Sequence, residues 1–289
     1  MLVHDKVLSY FTAWNRYLPG QAPSLQFDDT GIFGGFGGMR LYSAFQPILS
    51  ADTLRPVAFE ALLRARDAND SPLSPAEAFR RADTPDQVVY LDRLCRVVHA
   101  INFFNQDAAA GDLFLNVSGR HLMRVDTGHG STFEKLLGYC GLTPHQIVLE
   151  ILEAHVGDLL RLQEAILAYR SRGFRIAIDD FGCAHSNFDR LWQLTPDIVK
   201  IDRSLIVQAE QNPRARRILP KIVEIIQELG AIAVCEGIET AAQHDIAVDA
   251  GADYLQGFHY GRPTNELMSH LRPNAAVPSS PERRYSFAA

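Results

Sequence analysis

The sequence contains few cysteines, and they lie far apart. Cys95, Cys140, Cys183 and Cys235 form no C-x-x-C pair, and the ten histidines show no H-E-x-x-H spacing. These absences argue against a zinc site. They also favour a reduced compartment, which we expect to be the cytoplasm.

Long apolar runs and an excess of positive charge are missing as well. No apolar stretch approaches the length that spans a bilayer, and the N-terminus does not resemble a signal peptide. We therefore expect no membrane span, so that any membrane attachment would come from a partner. The net charge is −6, from 28 basic and 34 acidic residues, so the sequence lacks the excess of positive charge typical of proteins that bind duplex nucleic acid. A nucleotide would have to be bound by a local pocket.

Short apolar runs that stop at a polar residue are abundant. The polar residues that follow these runs are Glu60, Asn116, Glu150, the pair Asp179 and Asp180, Lys200, Glu236 and Gln256. Runs rich in β-branched residues predict buried strands, and several of the stretches between them have helical patterning. With 289 residues and 47% apolar content, the chain is long enough for one α/β domain, a TIM-like (β/α)8 barrel of parallel strands. In that fold the polar side chains at the C-terminal strand ends share one mouth, which is the active site.

A single acid after a strand usually caps a helix or faces solvent. Repetition favours a different interpretation, because Asp179 and Asp180 facing several glutamates would repel one another unless protons or cations neutralised them. Oxygen-rich clusters of this kind suit Mg²⁺ or Mn²⁺ better than zinc.

The segment Phe59-Glu60-Ala61-Leu62-Leu63-Arg64 resembles the signature of the EAL-domain family, bacterial phosphodiesterases that linearise cyclic di-GMP. Other blocks resemble the family in the same order, over roughly residues 41–271. They are Phe45-Gln46-Pro47-Ile48, Leu115-Asn116-Val117-Ser118, Glu150-Ile151-Leu152-Glu153, Asp179-Asp180-Phe181-Gly182, Lys200-Ile201-Asp202, Glu236-Gly237-Ile238-Glu239-Thr240 and Gln256-Gly257-Phe258.

The resemblance implies a two-metal hydrolase that converts cyclic di-GMP to linear pGpG. One Mg²⁺ or Mn²⁺ would be held by Glu60, Asn116, Glu150 and Asp179, and the second by Asp179 and Asp180 with support from Glu236; Ca²⁺ would inhibit. The expected catalytic residues are Lys200, Glu236 and Glu60. Lys200 would position the attacking water, although a lysine at a strand end can also simply reach out to solvent.

The resemblance also implies residues that bind the nucleotide and residues that support the metal site. The expected substrate-binding residues are Gln46, Leu62, Arg64, Asp202 and Gln256, with the Arg64 fork suited to a phosphate. Glu153 and Glu239 resemble acids that anchor the loop after Ile178, although either could cap a helix.

We expect two segments outside the barrel, which is assigned to residues 41–272. Residues 1–40 contain a predicted amphipathic helix, Lys6 to Tyr17, and a glycine-rich segment that reads as a linker, since no Gly-Lys-Ser/Thr follows it. Residues 273–289 have the composition of a disordered tail.

The chain departs from the family pattern after Gly182, where Cys183 to Phe188 replace the usual Thr-Gly-Tyr-Ser-Ser-Leu, and at Leu152, where Thr is usual. In the family this loop couples to a dimer interface. Its alteration therefore bears on the rate of hydrolysis and on how that rate is regulated. We expect a homodimer, with Arg190, Leu191 and Trp192 as candidate contacts, although Trp192 could equally belong to the core.

Three functions remain open from the sequence. The first is a working cyclic di-GMP phosphodiesterase, which the complete set of ligand positions favours. The second is a weak or inactive receptor or adaptor on the same scaffold. The third is a barrel phosphatase that acts on a different diester.

Overall fold

The computed structural model describes residues 5–15, 24–106, 111–122, 128–152, 158–183 and 188–267. The helices are α1 (Asp5–Asn15), α2 (Pro75–Arg80), α3 (Pro85–Phe104), α4 (Gly119–Leu122), α5 (Ser131–Tyr139), α6 (Leu159–Arg170), α7 (Phe188–Leu194), α8 (Arg203–Gln211), α9 (Pro213–Glu228) and α10 (Ala241–Asp249). The strands are β1 (Leu25–Asp28), β2 (Gly31–Phe36), β3 (Met39–Ser50), β4 (Pro56–Arg66), β5 (Pro72–Leu73), β6 (Asp112–Val117), β7 (Ile147–Leu152), β8 (Arg175–Phe181), β9 (Ile198–Ile201), β10 (Ile232–Cys235) and β11 (Tyr254–Gln256).

Eight strands close into a barrel, which confirms the predicted TIM-like fold. Strands β4 and β6 to β11 are parallel to one another in chain order. The barrel closes through β3, which pairs antiparallel with both β4 and β11. The expectation of a wholly parallel barrel is therefore wrong for this one strand. Residues 51–55 join β3 directly to β4, and so short a connection can only make a hairpin.

The interior of the barrel is filled by one layer of apolar side chains. These residues pack together with one contribution from each barrel strand: Ile48, Ala58, Phe114, Val148, Ala177, Ile198, Val234 and Tyr254. Side chains alternate between the two faces of a strand, so every second residue of each apolar run points to this interior layer and the residues between pack against the helices.

The N-terminal segment is part of the same packed body. The glycine-rich residues that read as a linker form strand β2, which pairs with β1 and with the outer end of β3. A Cβ on Gly34 would lie 3.1 Å from the Leu94 side chain, so a small residue lets α3 approach the hairpin closely. On α1, Val7 and Phe11 are buried, and the Phe11 ring lies 5.6 Å from the Tyr90 ring.

Three parts of the sequence-based domain assignment remain predictions. The predicted helix Lys6 to Tyr17 corresponds to α1, whose last described residue is Asn15. Residues 16 and 17 and the tail 273–289 lie outside the described residues, and the boundary at residue 41 remains an expectation. No helix in the described ranges is both long enough and apolar enough to cross a membrane.

Candidate active site

Eight polar residues form a second layer directly above the apolar layer of the barrel. Each lies two positions beyond an apolar interior residue on a parallel strand, or two positions before one on antiparallel β3. They are Gln46, Glu60, Asn116, Glu150, Asp179, Lys200, Glu236 and Gln256, which we call the polar layer. Because side chains on a strand repeat every two residues, all eight face the barrel interior at the same level, at the predicted mouth.

Lys200 makes most of the charged contacts within the polar layer, and it is only 1% exposed. Its Nζ lies 2.6 Å from Glu236 Oε1, 3.3 Å from Glu60 Oε2 and 3.4 Å from Asp179 Oδ1. It also contacts Glu150 Oε1. The alternative of a surface lysine that reaches out to solvent is therefore wrong, because the side chain is enclosed by four carboxylates.

Three amide side chains complete the polar layer around Glu60. Gln256 Nε2 donates to Glu60 Oε2 at 2.7 Å, and Asn116 Nδ2 donates to Glu60 Oε1 at 3.1 Å. Gln256 also donates to Gln46 Oε1 at 3.4 Å, and Gln46 Nε2 donates to the carbonyl of Gly261 at 3.2 Å. All eight side chains thus belong to one connected network.

Burial and neighbouring charges shift the pKa values of the ionisable groups in the polar layer. Burial, with the nearby charge of Glu60, raises the pKa of Glu150 well above its usual range, and burial likewise raises the pKa of Glu236. Burial opposes the charged form of Lys200, but the surrounding carboxylates outweigh it and hold the Lys200 pKa well above its usual value. Lys200 is therefore an ammonium that donates hydrogen bonds and does not accept protons.

The pKa of Glu60 is shifted in the opposite direction to those of Glu150 and Glu236. Burial alone would raise its pKa, but the Lys200 charge and the hydrogen bonds from Gln256 and Asn116 lower it overall. Glu60 is therefore the buried glutamate of the layer that is held ionised.

Asp180 reaches the site through an irregularity in β8. The pairing of β8 with β9 runs through Ala177 and Ile178, is interrupted, and resumes at Phe181. Within this bulge Asp180 has a left-handed backbone, with φ of 57°, and its N–H donates to Asp179 Oδ1 at 2.9 Å. A bulge lets two consecutive acids serve one mouth, where strict alternation would have placed the second on the opposite face.

Glycines follow two of the polar-layer residues for steric reasons. Gly237 has φ of 64°, and a Cβ there would lie 2.4 Å from the Arg203 Cβ. A Cβ on Gly257 would lie 2.0 Å from the Ile238 carbonyl oxygen. These turns direct the chain away from the mouth just after Glu236 and Gln256, which gives the Glu-Gly and Gln-Gly pairs of the sequence a physical cause.

The chemistry of these side chains suits a hard divalent cation. Five carboxyl groups, those of Glu60, Glu150, Asp179, Asp180 and Glu236, face a single ammonium. Apart from its contact with Lys200, the buried Glu150 carboxylate has no hydrogen-bond partner in the described part of the chain. Within those same residues no three acids, histidines or cysteines stand ready to hold a metal ion. Four of the carboxylates contact Lys200 instead.

The predicted substrate-binding residues divide into two groups. Gln46 and Gln256 belong to the polar layer. Arg64 lies four residue pairs further along the β3–β4 hairpin, where Tyr42 pairs with Arg64, and the half-buried Leu62 pairs with Ala44 between them. Arg64 lines a cleft of about 940 Å³ together with Tyr42 and Ala44. No acid of the polar layer lines this cleft, which adjoins the site rather than containing it.

Two further predicted residues have local partners instead of contacts with the polar layer. Asp202 caps α8 by accepting from Ser204 N–H at 2.9 Å, and Glu239 pairs with Arg203 at 2.7 Å. Glu153 lies outside the described residues, as do residues 184–187 of the altered loop. Cys183 is exposed at the start of that loop.

Two of the candidate dimer contacts, Leu191 and Trp192, differ in their exposure to solvent. Leu191 is fully buried in the core of its own barrel and is not free to contact a partner, whereas Trp192 is 50% exposed. The alternative that placed Trp192 in the core is therefore wrong. Adjacent residues on a helix are about 100° apart around its axis, so one can face the core while the next faces solvent.

A second buried charged cluster was missed by the sequence interpretation. Asp92 and Arg96 of α3 form an ion pair beneath α4, and each is 2% exposed. The only signal in the sequence is a pair of opposite charges four residues apart within an otherwise apolar helical run.

Comparison with known proteins agrees with this architecture. The EAL domain model matches residues 36–263. The chain belongs to the EAL domain family. The probable cyclic di-GMP phosphodiesterase PdeN of Escherichia coli is 30% identical over 233 residues, which are 78% of this chain and 43% of PdeN. YkuI of Bacillus subtilis, an uncharacterized EAL-domain containing protein, is 30% identical over 230 residues, 78% of this chain and 55% of YkuI.

A solved structure extends the comparison to a bound state. BlrP1 of Klebsiella pneumoniae, in complex with manganese and cyclic di-GMP, matches with a TM-score of 0.70 at 26% identity, over 90% of this chain and 67% of that one. BlrP1 was also solved in complex with calcium and cyclic di-GMP. EAL phosphodiesterases are metal-dependent. The chain spans about half the length of the two curated relatives named above.

Proposed function

We propose that this protein hydrolyses cyclic di-GMP to linear pGpG with the help of two divalent cations. The observation that carries the proposal is the polar layer, in which an excess of carboxylates faces the buried Lys200 above an apolar barrel floor. Membership of the EAL family and the similarity to PdeN support this substrate and this reaction.

Glu60, Asn116, Glu150 and Asp179 would hold one Mg²⁺ or Mn²⁺, and Asp179 and Asp180 the second, supported by Glu236. Such a pair of cations supplies an activated water and neutralises charge on the attacking and leaving oxygens. Ca²⁺ would inhibit because it prefers longer and more numerous oxygen contacts.

The protein's own groups orient the reactants. Lys200 is enclosed and cationic, which suits it to donate a hydrogen bond to the attacking water. Gln256 and Gln46 present amide groups on the β3–β11 side of the mouth. Arg64, on the wall of the adjoining cleft, places a cationic fork where an anionic phosphate can meet it.

We further propose a homodimer built on α6 and α7. Leu160 and Leu167 of α6 are 73% and 65% exposed, and Trp192 of α7 is 50% exposed. Gln163 Nε2 donates to the Gln193 carbonyl at 3.1 Å, which ties the two helices together. Sedimentation of the Trp192→Ala variant tests this assembly; an unchanged dimer dissociation constant would contradict it.

A substrate panel tests the reaction. The purified chain should convert cyclic di-GMP to pGpG with Mg²⁺ or Mn²⁺, and conversion should stop in EDTA, in Ca²⁺ and in the Asp179→Asn variant. Cyclic di-AMP and a model diester serve as comparison substrates. Cyclic di-GMP binding without turnover in any of these metals would instead identify a receptor, and turnover of the other diesters alone would identify a different phosphatase.

A further inference from the structure

The carboxylate of Asp92 connects helix α3 to the end of a barrel strand. Asp92 Oδ1 accepts a hydrogen bond from the Ser118 backbone N–H at 2.9 Å. Its other oxygen pairs with Arg96 and lies 3.3 Å from His121 Nδ1. With both oxygens engaged and 2% exposure, this side chain has a single well-defined position.

Ser118 lies two residues after Asn116, at the point where the chain leaves β6. Its carbonyl accepts from the N–H groups of His121 and Leu122, at 2.9 and 3.2 Å, and so begins α4. The backbone N–H of Ser118 is therefore held by Asp92, and its carbonyl is held by the first turn of α4. The ring of His121, in the same short helix, faces the same carboxylate.

Asn116 lies one residue before the end of the pairing between β6 and β7. In the β6–β7 ladder, Asn116 is opposite Glu150 and Val117 is opposite Ile151, and the ladder ends there. Beyond Val117 the first backbone contact is the one between Ser118 and Asp92. The sheet therefore holds the backbone of Asn116 and Val117, and Asp92 holds the residue that follows them. We expect a loose Ser118 to let the end of this ladder fray, which would widen the range of directions open to the Asn116 amide.

We propose that Asp92 is a positioning residue, which holds Ser118 and thereby orients Asn116 for binding of a divalent cation in the polar layer. The inference rests on the proposed function, because it assumes a cation site at Asn116. Asp92 itself touches no polar-layer residue among its described contacts. Its effect on the site therefore passes through the backbone.

The rest of the cluster keeps the Asp92 carboxylate in place. The Arg96 guanidinium lies 4.8 Å from the centre of the Phe133 ring, between α3 and α5, and is itself buried. A buried carboxylate that accepts from both a guanidinium and a backbone N–H is held by charge-assisted hydrogen bonds, which are the strongest available to it.

The same helix supplies a matched control. His99 of α3 is buried, and its Nδ1 lies 2.8 Å from Ser43 Oγ on β3. This contact also links α3 to a barrel strand, but Ser43 does not adjoin a residue of the polar layer. Substituting His99 therefore disturbs the α3 packing without loosening Asn116.

Titration with Mn²⁺ alone, followed by calorimetry on the full chain, tests the proposal. The double variant Asp92→Leu, Arg96→Met replaces the ion pair with apolar side chains of similar size, which buried sites commonly tolerate. It should bind Mn²⁺ about 10–100-fold more weakly than the wild type, as expected when a supporting contact of a ligand is lost. Asp92→Asn keeps an oxygen for Ser118 and should stay within about 3-fold of the wild type, and His99→Gln should be unchanged.

Each outcome has a distinct meaning. If the wild type binds no Mn²⁺, the proposed function and the positioning role both fail, because there is no cation site for Asp92 to support. If the wild type and the folded double variant bind Mn²⁺ equally, the positioning role is overturned while the proposed function stands. If the double variant does not fold, Asp92→Glu decides, because it keeps the charge but displaces the carboxylate by one methylene; wild-type Mn²⁺ affinity in that variant overturns the proposal.

Discussion

The barrel buries two charged clusters, and they differ in charge balance. Among the described residues, five carboxyl groups face Lys200: the four of the polar layer and that of the neighbouring Asp180. In the cluster beneath α4 one carboxylate, Asp92, meets one guanidinium, Arg96, and burial lowers the pKa of His121 to about 3, so that this histidine is neutral. The first cluster is incomplete without additional positive charge, while the second is complete by itself.

The difference separates function from stability. Buried like charges destabilise a fold and persist where a ligand or a reaction uses them, whereas a balanced buried pair is strongly destabilising to break. Substitutions in the two clusters should therefore have opposite signatures, which the following predictions test.

The largest effect on stability should come from the balanced cluster. Arg96→Met leaves the Asp92 carboxylate buried without its partner, and we expect a loss of about 3–5 kcal/mol in the free energy of unfolding. Urea denaturation followed by circular dichroism measures it. The control is Arg216→Met, which removes an exposed pair with Asp249 at 3.7 Å and should change stability by less than about 1 kcal/mol. Equal losses of unfolding free energy in Arg96→Met and Arg216→Met would contradict the stabilising role of the balanced cluster.

The largest effect on activity should come from the polar layer. Lys200→Ala removes the ammonium that we propose positions the attacking water, and turnover of cyclic di-GMP should fall on the order of 100-fold or more. Nucleotide affinity should be largely retained, which a binding measurement in Ca²⁺ can establish. Lys221→Ala, an exposed site on α9, is the control. Near-normal turnover in Lys200→Ala would move the role to another residue, with Glu236 the first to test.

A pH-dependent loss of stability should arise at His99, which lies outside both clusters, in addition to the loss expected from His121. Burial, with the charge of Arg64, lowers the pKa of His99 to about 4. Between about pH 6.5 and pH 4 the unfolded chain binds a proton at this residue that the folded chain does not, so stability falls as the pH falls through this window. The loss should reach about 3 kcal/mol at most. His99→Gln should flatten this part of the stability curve; an unchanged slope would assign it to other groups.

The smallest effect on stability should come from the polar layer, and it should be a gain in the free energy of unfolding. Glu150→Gln replaces a buried acid whose ionised form is disfavoured by burial and by the charge of Glu60, and without divalent cations it should stabilise the fold by about 1 kcal/mol while abolishing turnover. Adding Mn²⁺ should stabilise the wild type and leave the variant unchanged, because ligand binding raises stability only where a site exists. Thermal unfolding with and without Mn²⁺ measures both. A destabilised Glu150→Gln variant would show that the acids of the polar layer support the fold.

Much of the polar layer could be predicted because its residues follow a simple rule. A barrel strand shows alternate residues to the interior, so an apolar run that ends in Glu60, Glu150 or Asp179 places that acid one step above the floor. Two features do not follow from this pattern. The antiparallel direction of β3 and the bulge that turns Asp180 toward the mouth depend on the connection and pairing of neighbouring strands.

The sequence by itself determined which residues lie inside the barrel and at which level, because the alternation of side chains is a local property of each strand. Only the tertiary structure decided what these residues touch. Lys200 meets Glu60 across 140 positions of chain, and Asp92 reaches Ser118 across 26. Closure of the barrel and the docking of α3 create these contacts, and no local pattern encodes a distance between segments that are brought together only when the whole sheet closes.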